Sequence, residues 1–414
     1  MTVQYDLVIS SDRVIDPANG LDGPAQIAVK DGRIAAVAPV LPAHIAAKTV
    51  DATGRIVCPG LIDIHVHVYE WVTNFGLPAD DAGVHSGATT IIDQGSAGPW
   101  TVGGFKAYIA DPAITDVRSF VSANVAGALM GGMEGTVLHN PDMMRTDAII
   151  EAQAAYPGLV KGIKSHGESG GFSFWQTDVL EMAVAAGDQT GLPLYIHTGE
   201  LFPVNEPNRP APEALMEHVL PLLRAGDTVA HVYSCMPDGI MGPGDEVPAI
   251  VLEAADKGIH FDIGFGVNFS YRIARKMMEA GLLPNTIGSD VHADFNAYHD
   301  DSKLDYSLCG AMTCLYGLGM PLADVIERVT INPARILREE SEIGTLDVGS
   351  RADITVLDPV AGAWDLPDAE GEVLTVNERL VPALVYREGA EIVPNRRLLR
   401  DICETAHPDP ALSA

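Results

Sequence analysis

The sequence has little positive charge and no long hydrophobic run. Its 414 residues include 26 lysines and arginines against 56 aspartates and glutamates, a formal net charge of −30. Such an excess of negative charge repels nucleic acid and anionic membranes, so we expect neither as a partner. No apolar stretch approaches the roughly 20 residues that a transmembrane helix needs. The first residues, MTVQYD, do not predict a secretory signal.

Cysteine is also scarce. The five cysteines are an odd number and form no Cys-x-x-Cys pair. This pattern argues against a disulfide framework or a structural zinc knuckle, and it suits a reducing cytoplasm. Hydrophobic residues make up 47% and charged residues 20%, as in ordinary soluble proteins. We therefore expect a cytoplasmic globular protein that is long enough for more than one domain.

Short β-rich runs alternate with Ala-, Leu- and Glu-rich stretches through the middle of the chain. This alternation predicts βα units, in which helices cover a parallel sheet. The candidate strands are Leu61–His67, Thr89–Asp93, Arg118–Ala123, Leu159–Ser165, Pro193–His197, Thr228–His231, Ile259–Ile263 and Thr286–Asp290. Eight strands close a (β/α)8 TIM-type barrel. We therefore predict an α/β fold with such a barrel over residues 59–343.

Both ends of the chain differ from the middle. Residues 3–57 and 345–394 contain short β-like runs separated by turn signals such as Lys30-Asp31-Gly32-Arg33. The sequence predicts one small β domain built from residues 1–58 and 344–400, which flanks the barrel. Residues 401–414 are rich in Pro and Ala and predict a loose tail.

The stretch LIDIHVHVYE, at residues 61–70, places His65 and His67 on the same side of a strand. Functional groups of a (β/α)8 barrel gather at the C-terminal ends of its strands. Six groups that can bind metal or be carboxylated end five predicted strands: His65, His67, Lys164, His197, His231 and Asp290. Each has an ordinary structural explanation when taken alone, but their coincidence predicts a metal site. Lys161 should face the opposite side of its strand from Lys164.

Several motifs, in chain order, resemble the landmarks of the amidohydrolase superfamily. They are PGLIDIHVHVYE, GATTIIDQGSAG, GIKSHG, YIHTGE, AHVYS, GSDVH, TINPARIL and GTLDVGSRADITVLD. The likeness is greatest to deacetylase-like metallohydrolases that are related to dihydroorotases. This resemblance implies two divalent metal ions, with zinc as the expected metal. His65, His67 and Asp290 would hold one ion and His197 and His231 the other, and a CO2-derived carbamate on Lys164 would bridge them.

The implied reaction is hydrolysis of an amide, or of an ester, in an N-acyl or O-acetyl small molecule. A hydroxide that bridges the metals would attack the carbonyl, with Asp290 as general base. Three alternatives stay open. They are a cyclic amide hydrolase of the dihydroorotase or hydantoinase type, a mononuclear deaminase, and a catalytically silent homologue that serves as a scaffold.

Candidate substrate-binding residues follow the predicted strand ends. They are His292, His166, Tyr69 and Ser96. His166 stands where the family tends to carry arginine, and Phe265 stands where it tends to carry histidine. The substrate is therefore not carried over from the family, although the resemblance is compatible with a homo-oligomer.

Overall fold

The computed structural model describes residues 4–42, 45–129, 138–199, 203–266, 268–293 and 307–399. The predicted tail at 401–414 lies outside these described residues. The strands are β1 (Tyr5–Asp16), β2 (Leu21–Lys30), β3 (Arg33–Ala38), β4 (Ala46–Asp51), β5 (Ile56–Pro59), β6 (Leu61–Val66), β7 (Ala88–Gln94), β8 (Asp116–Ser122), β9 (Val160–His166), β10 (Leu194–His197), β11 (Thr228–Val229), β12 (His260–Phe261), β13 (Ile354–Pro367), β14 (Val373–Arg387) and β15 (Ala390–Ile392).

The α-helices of the described residues mostly lie between the strands of the middle region. They are α1 (Ala79–Ala82), α2 (Val102–Phe105), α3 (Thr146–Ala155), α4 (Ser169–Trp175), α5 (Asp178–Thr190), α6 (Pro212–Val219), α7 (Ala249–Asp256), α8 (Tyr271–Glu279), α9 (Leu308–Gly317), α10 (Leu322–Glu327) and α11 (Ile331–Leu337). Helix α5 ends at Gly191, whose φ of 70° suits a left-handed helix cap. In the part of the chain that the structure describes, no helix is both long and apolar enough to span a membrane.

A terminal sheet joins strands from both ends of the chain in the order β15-β14-β13-β5-β1-β2-β3, and β4 pairs with β1. Strand β5 is the junction, because Val57 pairs with Val14 of β1 and with Val356 of β13. These valines are buried in one apolar cluster with Ile9 and Ile354. The β structure predicted at the two ends thus lies in a single sheet, while the exact domain bounds stay a prediction.

The middle region forms a curled parallel sheet in the order β12-β11-β10-β9-β8-β7-β6. Every residue of β6, β7 and β10 is buried, as expected for parallel strands that are covered on both faces. Each of the first seven predicted strands overlaps an observed strand. Lys161 of β9 pairs with Glu339 at 2.6 Å, whereas the Lys164 side chain is buried, as the alternation along the strand predicted.

The eighth predicted strand, Thr286–Asp290, is wrong as a regular strand. Residues 285–291 instead make single parallel bridges at both edges of the sheet. The bridges join Asp262 with Thr286 and Val66 with Val291. A physical reason is the left-handed backbone of Asp290, with a φ of 54°, which interrupts an extended run. The segment still lies between β12 and β6, but a full count of eight barrel strands is not confirmed.

Candidate metal centre

The six predicted ligand residues lie together at the end of the parallel sheet where its strands finish. The ring centroids of His65 and His67 are 5.3 Å apart, and those of His65 and His231 are 5.4 Å apart. His197 and His231 approach to 4.4 Å between ring centroids. One cavity is lined by His67, Lys164, His197 and Asp290. The convergence that was inferred from strand ends is therefore present in three dimensions.

The carboxylate of Asp290 faces two imidazoles. Its Oδ1 lies 3.0 Å from Nε2 of His65 and 3.4 Å from Nε2 of His67. One ligand atom from each of the three residues falls within 4.8 Å of the others. Imidazole nitrogen and carboxylate oxygen are preferred donors for zinc and similar ions, so this group fits a divalent metal.

A buried hydrogen-bond chain fixes which nitrogen of His65 faces Asp290. The Tyr195 hydroxyl donates to Oδ1 of Asp262 at 2.6 Å and lies 3.0 Å from Nδ1 of His65. Because the tyrosine proton is already used on a carboxylate, the hydroxyl oxygen accepts a hydrogen bond from Nδ1. The lone pair of His65 is then on Nε2, which is the atom that faces Asp290.

His231 is held in the same tautomer by the backbone. Its Nδ1 lies 2.9 Å from the carbonyl oxygen of Gly264 and donates to it. Its Nε2 is buried and has no hydrogen-bond partner among the described residues. The backbone of His231 is left-handed, with a φ of 60°. Non-glycine residues with a left-handed backbone are concentrated at functional sites. The unpartnered Nε2 of His231 is also the kind of atom that can bind a metal ion.

The amine of Lys164 lies in a pocket where the described residues offer it no hydrogen bond. Its Nζ is buried, has no hydrogen-bond partner in the described part of the chain, and lies 4.6 Å from the Tyr195 ring centroid. Burial lowers the pKa of Lys164 to about 8. A Cβ atom added at Gly95 would lie 2.7 Å from Cγ of Lys164, so a glycine at this position makes room for the lysine stem.

The four candidate substrate-binding residues separate into two pairs. His166 and His292 line the cavity, next to apolar walls that include Phe75. Ser96 instead lies 3.0 Å from Nδ1 of His67, where it orients that ring. Tyr69 points away, because its hydroxyl donates to the Thr101 carbonyl oxygen at 3.0 Å. Tyr69 is absent from the described lining of the cavity.

Several residues around the site were missed by the sequence reasoning. Tyr195 and Asp262 orient His65, and Asp93 accepts hydrogen bonds from the backbone of Val68 and Ser96 at 2.9 Å each. A polar residue at the end of an apolar run was a usable signal for Asp93 and Asp262. His139 and Glu168 were also missed, and their side chains approach to 2.6 Å.

The amino-acid sequence is similar to those of known enzymes. Residues 270–392 match the model of the amidohydrolase family. The chain is 29% identical over 370 residues to a deacetylase of Agrobacterium fabrum, covering 89% of this chain and 86% of that protein. It is 26% identical over 415 residues to a dihydroorotase of Anaeromyxobacter dehalogenans, covering 88% of this chain and 90% of that protein.

Two solved structures are also similar to this chain over most of its length. A crystal structure of a dihydroorotase has a TM-score of 0.81 and 26% identity, and the match covers 94% of this chain and 97% of that one. A crystal structure of an adenine deaminase also has a TM-score of 0.81 and 26% identity, with 94% of this chain and 100% of that one covered. The similar proteins are therefore named as a deacetylase, dihydroorotases and an adenine deaminase.

Proposed function

We propose that this chain, in which residues 270–392 match the amidohydrolase family, is a binuclear metal-dependent hydrolase. It would cleave an amide, or an O-acetyl ester, in a small molecule with an N-acyl or O-acyl group. The observation that carries the proposal is the convergence of Asp290 with four histidines and Lys164 at the strand ends. An enzyme of this family acts on carbon–nitrogen bonds, so the amide is the first bond to test.

The residues divide into two sets of ligands. His65, His67 and Asp290 would hold one ion, and His197 and His231 the other. Two cations held a few Å apart need an anionic group between them. Lys164 would supply it as a carbamate, formed when its neutral amine adds to CO2. The buried Nζ supports this assignment, since a pKa of about 8 leaves neutral amine available near neutral pH.

Two ions bound there would lower the pKa of water and polarise the scissile carbonyl group. Asp290 would accept the proton of the attacking water and return it to the departing nitrogen or oxygen. Its carboxylate is suitably placed, because it lines the cavity and touches both histidines of the first set. His166 and His292 would contact the substrate from the cavity wall.

A cyclic amide substrate is the second candidate, favoured by the fold-level likeness to the dihydroorotase structure over 94% of the chain. The apolar side of the cavity, formed by Phe75, Ala128 and Leu138, suits an acyl group or an uncharged ring face. Sequence identity over most of the chain is higher with the deacetylase than with the dihydroorotase, at 29% against 26%. We therefore place acyl removal first.

The test compares Lys164→Ala with Lys161→Ala, two lysines of the same strand on opposite sides. Metal content would be measured by elemental analysis and lysine carboxylation by intact mass under non-denaturing conditions. Turnover would be screened with N-acetyl amino acids, O-acetyl hydroxy acids, dihydroorotate and hydantoin. We expect Lys164→Ala to lose metal and turnover, while Lys161→Ala loses only its surface contact with Glu339.

Either of two results would overturn the proposal. One is full metal content in Lys164→Ala, which would remove the bridging role. The other is wild-type protein that takes up no metal after reconstitution, which would favour the silent scaffold. Ring opening without acyl removal would keep the metal centre and select the second candidate.

A further inference from the structure

We propose that His139, His166 and Glu168 form an additional divalent-cation site at the wall of the cavity. This inference goes beyond the proposed function, because none of the three residues belongs to the ligand set of the strand-end centre. Their donor atoms all lie within 4.8 Å of one another. The chemical class of ligand is a zinc-like ion that accepts imidazole and carboxylate donors.

The distances within this trio are close to those around a small ion. Oε1 of Glu168 lies 2.6 Å from Nε2 of His139 and 3.7 Å from Nδ1 of His166. Ligand atoms at about 2.0–2.1 Å from zinc lie roughly 3–3.5 Å from each other. A small outward shift of one imidazole, relative to Glu168, would therefore admit the ion.

The trio is buried, which makes the donor set chemically unusual. The side chains of His139, His166 and Glu168 are 1%, 8% and 0% exposed. Nδ1 of His166 is buried and has no hydrogen-bond partner among the described residues. Two imidazoles and one glutamate are a known catalytic zinc set.

Two segments hold the donors in place, one with His166 and Glu168 and the other with His139. His166 ends β9, and Glu168 directly precedes α4, where its carbonyl oxygen accepts from the Phe172 amide at 3.1 Å. His139 comes from the loop before α3 and packs on the first turn of α4. A Cβ atom added at Gly171 would lie 3.1 Å from Nδ1 of His139. The arrangement is thus fixed by backbone structure as well as by side-chain contacts.

The trio adjoins the strand-end centre without sharing ligands with it. The rings of His166 and His197 are 5.4 Å apart between centroids, and both residues line the same cavity. A cation held by the trio would add positive charge to one wall of the cavity. That charge would favour substrates that carry a carboxylate, in a site where the described lining includes no arginine.

The experiment counts zinc in metal-stripped protein that is reconstituted with zinc alone. Glu168→Gln keeps the size of the side chain and removes its charge. We expect this variant to bind one zinc equivalent fewer than the wild type. Asp238→Asn is the matched control, because Asp238 is buried and contacts Ser169, the residue next to Glu168. It should bind as much zinc as the wild type.

A second comparison separates this site from the strand-end centre. In a Lys164→Ala background, adding Glu168→Gln should still remove one zinc equivalent, and His139→Gln should do the same. Equal zinc content with and without these changes, in folded protein by circular dichroism, would overturn the additional site. His139 and Glu168 would then only orient His166. Loss of zinc through Lys164→Ala alone would bear on the proposed function and not on this inference.

Discussion

The hydroxyl group of Tyr195 lies 3.0 Å from Nδ1 of His65, beneath the floor of the candidate metal centre. Both side chains are buried, and the same hydroxyl donates to Asp262. Partners of this kind hold a ligand imidazole in the tautomer and orientation that a metal needs. We therefore expect Tyr195 to be a positioning residue that acts through His65.

Tyr195→Phe should weaken zinc binding by about 10–100-fold and leave the fold intact. The reason is that Nδ1 of His65 loses its acceptor, so the imidazole is free to change tautomer or rotate. Zinc affinity would be measured by competition with a chelator. Tyr233→Phe is the control, since Tyr233 is equally buried but donates to the Leu282 carbonyl oxygen. Equal affinities in the two variants would contradict the positioning role.

Asp290→Asn should lower kcat by about 10²–10⁴-fold, the usual contribution of a general acid–base group. An amide cannot accept the proton of the attacking water. The rate would be measured on the best substrate of the screen, at saturating metal. Asp227→Asn is a useful contrast, because this buried aspartate precedes β11 and pairs with Arg224 at the opposite end of the strands. That variant should lose stability while kcat stays near wild type. A change of only a few-fold in Asp290→Asn would exclude it as the base.

Gly95→Ala should weaken metal binding and activity, because its new methyl group would press on the Lys164 stem. Gly54→Ala separates this contact from backbone strain. Both glycines have a φ of 80°, but a Cβ atom at Gly54 would meet nothing within 4 Å. Alanine at such a φ costs about 1 kcal/mol of stability in either place. Similar losses of stability, with metal binding impaired only in Gly95→Ala, are the expected pattern. Unimpaired metal uptake by Gly95→Ala would refute the contact argument.

We expect the free energy of unfolding to fall at acid pH because of the buried carboxyl group of Asp116. Burial alone would raise the pKa of this carboxyl, but the charges of Arg118, Arg351 and Arg387 outweigh it and lower the pKa. A lowered pKa means that the ion pairs stabilise the fold above the unfolded pKa of about 3.9. Their contribution is lost as the pH falls from there through the folded pKa.

Asp116→Asn should therefore destabilise the protein at pH 7 by about 2 kcal/mol, since it removes a buried carboxylate charge that pairs with three partly buried arginines. The difference from the wild type should be smaller at pH 3 than at pH 7, because below about 3.9 the carboxyl of the unfolded chain takes up a proton more readily than the folded one, whose pKa is lowered. Urea unfolding of both proteins at the two pH values gives the comparison. A difference that is equal at pH 7 and pH 3 would show that the charge is not the cause.

The sequence could predict which side chains lie together when their position along a strand determines where they point. His65, Lys164 and His197 could be placed together because they end strands of a predicted parallel sheet, and such ends share one edge. The same rule distinguished Lys164 from Lys161. Alternation along a strand sets the direction of a side chain before any tertiary contact is known.

Contacts between loops could not be predicted in that way. Tyr69 and Ser96 both follow strand ends, yet one bonds to Thr101 and the other to His67. His139 and Glu168 are brought together by loops, whose paths depend on packing and not on periodicity. The left-handed backbone at Asp290 broke the eighth strand, although its sequence, TIGSD, reads as extended.

The pairing of Val57 with both Val14 and Val356 has a consequence for the order of synthesis. The ribosome makes β5 long before β13, with the whole parallel sheet in between. During that interval one edge of β5 has no partner strand, and an open edge can pair with other chains. The residues that make this contact are far apart in the sequence, and contacts of this kind form slowly during folding. We expect the terminal sheet to be completed last, so the nascent chain is most prone to aggregation just before β13 emerges.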